Sequence, residues 1–98
     1  MTLPIRLLPI AIDELNAGVD WYESKRDGFG EVLLSAVREL LRDIANNPRM
    51  HGVVYRDVRK AVVRQFPYVI MYRLETTEIV VISIFHTSRD PSVWKRRV

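Results

Sequence analysis

The spacing of apolar positions along the chain changes once, from a period of three to four in the first half to a period of two in the second. Residues 3–8, Leu-Pro-Ile-Arg-Leu-Leu, read as a short first strand, with Pro4 tolerated near its start. Pro9 then suits the first turn of a helix, and Asp13 and Glu14 are expected to complement its N-terminal dipole. Ile12, Leu15, Val19 and Tyr22 form an apolar stripe as far as about Lys25, where Arg26-Asp27-Gly28 breaks the pattern. Phe29, Val32, Leu33, Ala36, Val37, Leu40, Leu41 and Ile44 give a second, wider stripe over 29–45, closed by Asn46-Asn47-Pro48. Two helices joined by a turn at Gly28 predict an antiparallel helical hairpin.

After a loop over 49–57, three segments are rich in Val, Ile, Tyr and Phe: 58–66, 68–74 and 78–86. The short polar connection Glu75-Thr76-Thr77 makes the last two a hairpin. Ile79 to Phe85 is almost continuously apolar, as a central strand covered on both faces is. Arg89–Val98 forms a basic tail, with a turn of helix after Pro91. The expected fold is α+β, in the order β-α-α-β-β-β, with a helical hairpin packed on a small, mainly antiparallel sheet.

Length and composition narrow the classes. Ninety-eight residues suffice for a single domain over 1–98, and an apolar share of 48% is globular. The absence of cysteine removes disulfides, thiolate catalysis and cysteine-ligated zinc. No apolar run is long enough to span a bilayer, and Arg6 and Asp13 spoil the N-terminal segment as a signal peptide. A cytoplasmic protein with no membrane contact is expected.

Charge is unevenly spread. Residues 1–48 carry five basic side chains against eight acidic, whereas residues 49–98 carry ten against four. A basic half is the footprint of a polyanion or of an acidic protein partner; a solvated face with no partner is the other reading.

No metal or cofactor signature is present, and none is expected to be needed. The two histidines are 35 positions apart, and Gly28-Phe29-Gly30 lacks the strand and third glycine of a dinucleotide loop. His51, beside Gly52, reads as solvent-exposed. Arg59, Lys60, Arg64, Arg73 and Arg89 lie on or beside strands, and His86 closes the last one. Lys60, Val62 and Arg64 share one strand face, while Arg59, Ala61 and Val63 share the other. Were the basic groups of neighbouring strands to share an open face, they would form a cationic concavity with an imidazole at its edge. Such a site holds a phosphodiester, arginine stabilising the developing charge and histidine moving a proton. The alternative pairs each arginine with an acid or lays its stem on apolar surface. Trp21-Tyr22 is expected to pack on the first helix. Trp94 is placed to clamp the tail against the sheet, fixing Lys95, Arg96 and Arg97.

The series Trp21-Tyr22-Glu23, Ile44-Ala45-Asn46-Asn47-Pro48, Phe66-Pro67-Tyr68 with Ile70 and Tyr72, and His86-Thr87-Ser88-Arg89-Asp90-Pro91 with Trp94 and Arg97 resembles the RelE/ParE toxin superfamily nearly end to end. The resemblance implies the toxin of a type II toxin–antitoxin pair, held inactive by a cognate antitoxin through which the complex reaches operator DNA. RelE-like members cleave mRNA on the ribosome; ParE-like members poison DNA gyrase. Arg64, His86 and Arg89 are the counterparts of nuclease residues. Where ribonuclease members carry a catalytic tyrosine or glutamate, this chain has Thr87, Trp94 and Asp57, which favours the ParE-like branch. A nucleic-acid-binding module without toxicity is a third reading.

Overall fold

The computed structural model describes residues 2–98; Met1, at the head of the predicted domain, lies outside the described residues. The elements are β1 (Ile5–Leu7), α1 (Pro9–Lys25), α2 (Phe29–Asn46), β2 (Val53–Tyr55), β3 (Val58–Val62), β4 (Tyr68–Leu74), β5 (Ile79–His86) and α3 (Ser92–Lys95). They build a five-stranded sheet in the order β1-β5-β4-β3-β2, antiparallel except that β1 runs parallel to β5. The parallel pair is possible because the whole helical hairpin intervenes between β1 and the antiparallel strands.

The hairpin packs on one face of the sheet. Ala11, Leu15, Leu33, Val37 and Ile44 meet Ala61, Val63, Tyr68, Ile70, Tyr72, Ile79, Val81 and Ile84 there. On the other face Val58, Val69, Met71, Ile82 and Phe85 are covered by Trp94 of α3. β5 is therefore buried from both sides, as its nearly continuous apolar run predicts.

The helices cross at glycines. A Cβ on Gly30 would stand 2.6 Å from the Val19 carbonyl oxygen, and one on Gly18 would stand 2.7 Å from the Tyr68 hydroxyl. Glu23 closes the turn from within α1: its carboxylate accepts the N–H groups of Gly28 at 2.8 Å and Gly30 at 3.1 Å, at the start of α2. Tyr22, Phe29 and Phe66 seal that end of the core edge to face, with centroids 5.1 Å apart for Tyr22 with either phenylalanine.

The structure departs from the sequence expectations in several places. The loop over 49–57 contains a strand, β2, joined to β3 by a tight turn in which Arg56 takes the left-handed conformation at φ 53°. β3 ends at Val62 instead of Phe66, because Gln65 turns the chain at φ 69° and Val63 N–H reaches back to the Tyr68 carbonyl. On α1 the buried line is Ala11, Leu15 and Gly18, which leaves Ile12 exposed. Trp21 does not pack with Tyr22 into the core; it is 55% exposed. On α2, Val32 likewise faces outward.

His51 is half-buried instead of exposed. Its ring meets Tyr72 edge to face, and its Nε2 is enclosed without a partner. The loop around it is fixed by Tyr72, whose hydroxyl donates to the Pro48 carbonyl at 2.7 Å. Burial pushes the Tyr72 phenol above its ordinary range, so it remains a donor at neutral pH.

The two glycine environments separate in a stability experiment. Gly30→Ala drives a methyl group into helix backbone and is expected to cost about 1–3 kcal/mol. Gly52→Ala meets open space and is expected to lie within about 1 kcal/mol of the parent, on the stabilising side. Urea unfolding of the two variants checks this; equal midpoints would mean that the hairpin is not closely packed at Gly30.

Candidate functional site

One carboxylate organises the region around the end of β5. Glu14 was expected to serve the N-terminal dipole of α1, but it points inward from the second turn and its side chain is only 7% exposed. It accepts from Ser83 Oγ at 2.9 Å, the Ile84 N–H at 3.2 Å and Arg89 Nη1 at 3.2 Å. Arg97 completes the set as a two-pronged donor, Nη1 to Oε1 at 2.9 Å and Nη2 to Oε2 at 3.2 Å.

The backbone of β5 explains why these groups gather. Met71 faces Ser83 and Tyr72 faces Val81, so Ile82 is the extra residue of a bulge. Arg97 Nη1 donates to the Ile82 carbonyl at 2.9 Å, while Glu14 takes the Ile84 amide. A side chain from α1 and one from the tail thus supply the polar partners that β5 needs past the end of β1.

Beside this cluster lies a cleft of about 670 Å³, walled by α1 residues Asp13, Gly18, Trp21 and Tyr22, by Tyr68, and by His86, Ser88 and Arg89. Tyr68 stacks edge to face on His86 with centroids 5.1 Å apart. Burial, with a smaller contribution from Tyr22, pushes the Tyr68 phenol above its ordinary range, so it too stays protonated. The Ser88 N–H donates to His86 Nδ1 at 3.1 Å, and Ser88 Oγ lies 2.7 Å from the same nitrogen. Since a main-chain N–H can only donate, Nδ1 carries the lone pair and the neutral ring keeps its proton on Nε2. His86 thus lines the cleft with its Nδ1 turned to Ser88.

The cationic concavity expected from the sequence does not assemble. Arg64 lines a different groove, about 370 Å³, between α2 and the end of β3, with Val62, Gln65, Glu39 and Asp43. Arg59 is committed to the carbonyls of Arg49 at 3.3 Å and His51 at 2.7 Å. Arg73 pairs with Glu75 at 3.0 Å, with Asp57 at 4.0 Å. Arg89 is divided between Glu14 and the face of the Phe85 ring, 5.5 Å from its centroid. Only His86 and Arg89 of the three nuclease candidates share a cleft.

The tail behaves as the sequence suggests. Trp94 is buried against the second face of the sheet and meets Tyr55 edge to face at 5.7 Å. Asp90 starts α3 by accepting the Ser92 N–H at 2.9 Å, and this hydrogen bond holds its carboxyl below the usual range. Arg97 turns in to Glu14 while Lys95 and Arg96 remain outside; Arg96 reaches Ser92 Oγ at 3.3 Å. A third cleft, about 290 Å³, is formed by Val54, Lys60, Val69, Met71, Phe85, Thr87, Pro91, Trp94 and Lys95.

Glu14, Tyr68 and Trp21 were missed as cleft residues. Glu14 had a readable signal, since it falls on the Ala11, Leu15, Gly18 stripe of α1, where a carboxylate must find partners. Among the described residues no group of three His, Cys, Asp or Glu could hold a metal, and no helix is long and apolar enough to cross a membrane.

The Glu14 cluster predicts a large effect from a small change. Glu14→Gln leaves Arg97 without its counter-charge and is expected to cost about 3 kcal/mol in chemical denaturation. The Trp94 fluorescence should also shift to the red as the tail loosens. Parental stability in this variant would show that the tail is held by Trp94 alone.

Residues 5–91 match the family described as ParE toxin of type II toxin–antitoxin system, parDE. A chain of the chromosomal ParDE toxin–antitoxin system from P. aeruginosa has the same fold, with a TM-score of 0.65 at 17% identity over 89% of this chain and 98% of that one. No curated protein sequence matches this one. With the family spanning everything from β1 to the start of α3, the chain belongs to the ParE toxins of type II toxin–antitoxin systems.

Proposed function

We propose that this toxin is held inactive by a cognate antitoxin and that, once free, it stops growth by binding a protein target, with DNA gyrase the target implied by the ParE-like branch. Operator DNA is reached through the antitoxin. The observation that carries the reading is the state of His86. Its Nδ1, a nitrogen that could take a proton from a ribose hydroxyl, is engaged by the Ser88 N–H.

The surroundings agree. Metal-free cleavage of RNA needs a base, an acid and a cation around one phosphate. Arg64 opens into another groove, and Arg89 is drawn to Glu14. What the cleft does offer is an exposed indole, two tyrosines and an imidazole, carried on α1, β4 and the end of β5. Tryptophan and tyrosine of this kind anchor protein–protein contacts, because they bury a large area at little cost in side-chain entropy.

Induction in a bacterial host tests the proposal. Growth arrest is expected with intact reporter mRNA in primer extension and with altered plasmid supercoiling on a topology gel. His86→Ala should keep toxicity within about twofold of the parent, whereas an acid–base role would make it cost about 100-fold or more. Codon-phased mRNA cuts that vanish in His86→Ala would overturn the reading in favour of a ribosome-dependent nuclease. Normal growth with folded protein present would remove the toxic activity altogether.

A further inference from the structure

Two carboxylates and one guanidinium stay unmatched along a single groove. Its walls are α2 and the end of β3, and it holds Glu39, Asp43 and Arg64. All three are exposed, and among the described residues none has an oppositely charged group within 4.0 Å. The basic side chains of α2 do not serve them: Arg38 and Arg42 lie outside the groove, and Arg38 is paired with Glu31 at 3.8 Å. Arg64 is also the nuclease candidate that the cleft at the end of β5 leaves unused.

The two signs are separated along the groove. Phe66, two residues beyond Arg64, packs on Phe29 at the start of α2, with centroids 5.8 Å apart. Tyr72, which faces Arg59 in the ladder, holds Pro48 just past the end of α2. β3 therefore runs against α2, so Arg64 stands beside the first turns of the helix while Glu39 and Asp43 stand on its second half. The apolar members of the groove are open to solvent: Val32 is 48% exposed and Val62 64%. From Val32 to Asp43 the helix runs about 16 Å.

A surface with a cation at one end, carboxylates at the other and exposed valines is complementary to itself turned through half a circle. A two-fold contact performs that operation, because each residue then meets its complement on the other copy twice over. We propose that two copies of this chain pair through this groove, antiparallel along α2, with the valines packed together and Arg64 of each copy set against Glu39 and Asp43 of the other. The groove shares no residue with the aromatic cleft of α1 and β5, so the dimer presents two such clefts. The contact is short, and its dissociation constant is expected on the order of micromolar. Other occupants fit less well. An acidic peptide or a polynucleotide suits Arg64 but is repelled by Glu39 and Asp43, and a basic peptide suits the carboxylates but meets Arg64.

Sedimentation equilibrium of the purified protein tests the pairing. The mass should rise from monomer to dimer over roughly 1–100 µM. Arg64→Glu, and separately the double variant Glu39→Arg with Asp43→Arg, set like charges across the axis, and each should weaken self-association about 10-fold or more at unchanged melting temperature. An equimolar mixture of the two should regain the parental affinity, because both contacts of the mixed dimer again join opposite signs; misfolded variants would not be rescued in this way. A parent that stays monomeric over that range overturns the inference. A dimer indifferent to both variants overturns it by placing the contact elsewhere, and a mixture that stays monomeric shows that these charges do not face each other. A monomeric parent whose Arg64→Glu variant no longer binds the antitoxin would overturn it too and give the groove to that partner.

Discussion

The end of β1 opposite Val81 is the constraint from which the far end of this protein is built. Beyond it β5 has no strand on that side, and in a strand buried on both faces water cannot satisfy its backbone groups. β1 ends opposite Val81, so no neighbouring strand supplies the missing partners. Glu14 and Arg97 do, and because each carries a charge, each also requires the other. That requirement joins residues 83 positions apart and decides where the tail lies. With Arg97 drawn to the edge of β5, α3 falls across the second face of the sheet, and Trp94 covers apolar side chains that would otherwise face water.

The same demand sorts the basic residues into two kinds. Arginines beside buried carbonyls or carboxylates are consumed: Arg59 by the loop before β2, Arg73 by Glu75, Arg89 and Arg97 by Glu14. Five donors in a planar fork suit that work, and a guanidinium cannot shed its proton when buried. Lys95 on the second face has no such commitment and holds its charge against the rings of Tyr55 and Trp94. A count of positive charge along the second half of the chain therefore overstates the charge left free for a ligand.

The architecture was legible where one physical signal dominated. The apolar run of β5 implied cover on both faces, and the break at Arg26-Asp27-Gly28 marked the helical hairpin. β2 escaped because three residues carry too little periodicity to read, and because its turn depends on Arg56 adopting a left-handed conformation that its sequence does not advertise. Ile12 and Val32 were misplaced for a related reason. A stripe read at 3.6 residues per turn cannot tell which of two adjacent apolar positions faces the sheet when the crossing is set by glycines, here Gly18 and Gly30. The site was less legible than the fold. His86, Arg89 and Trp94 could be named, but their tasks depend on partners far away in sequence, and Arg64 was grouped with His86 from its place beside a strand and from the family resemblance.

Tautomer choice shows why residue type is a poor guide to chemistry on this scaffold. A histidine, two arginines and a nearby tyrosine are the parts list of a metal-free phosphodiesterase. Two hydrogen bonds already engage those parts: the Ser88 amide meets Nδ1 of His86, and Glu14 accepts from Arg89. Neither alters the side-chain inventory. What remains is a rigid cleft of aromatic faces and donors, whose shape is fixed by the same carboxylate that anchors the tail. A protein that acts by docking benefits from that arrangement, because groups already immobilised lose little further entropy on binding. The buried ion pair that closes the fold and the cleft beside it share one carboxylate, Glu14, set against the part of β5 that β1 leaves uncovered.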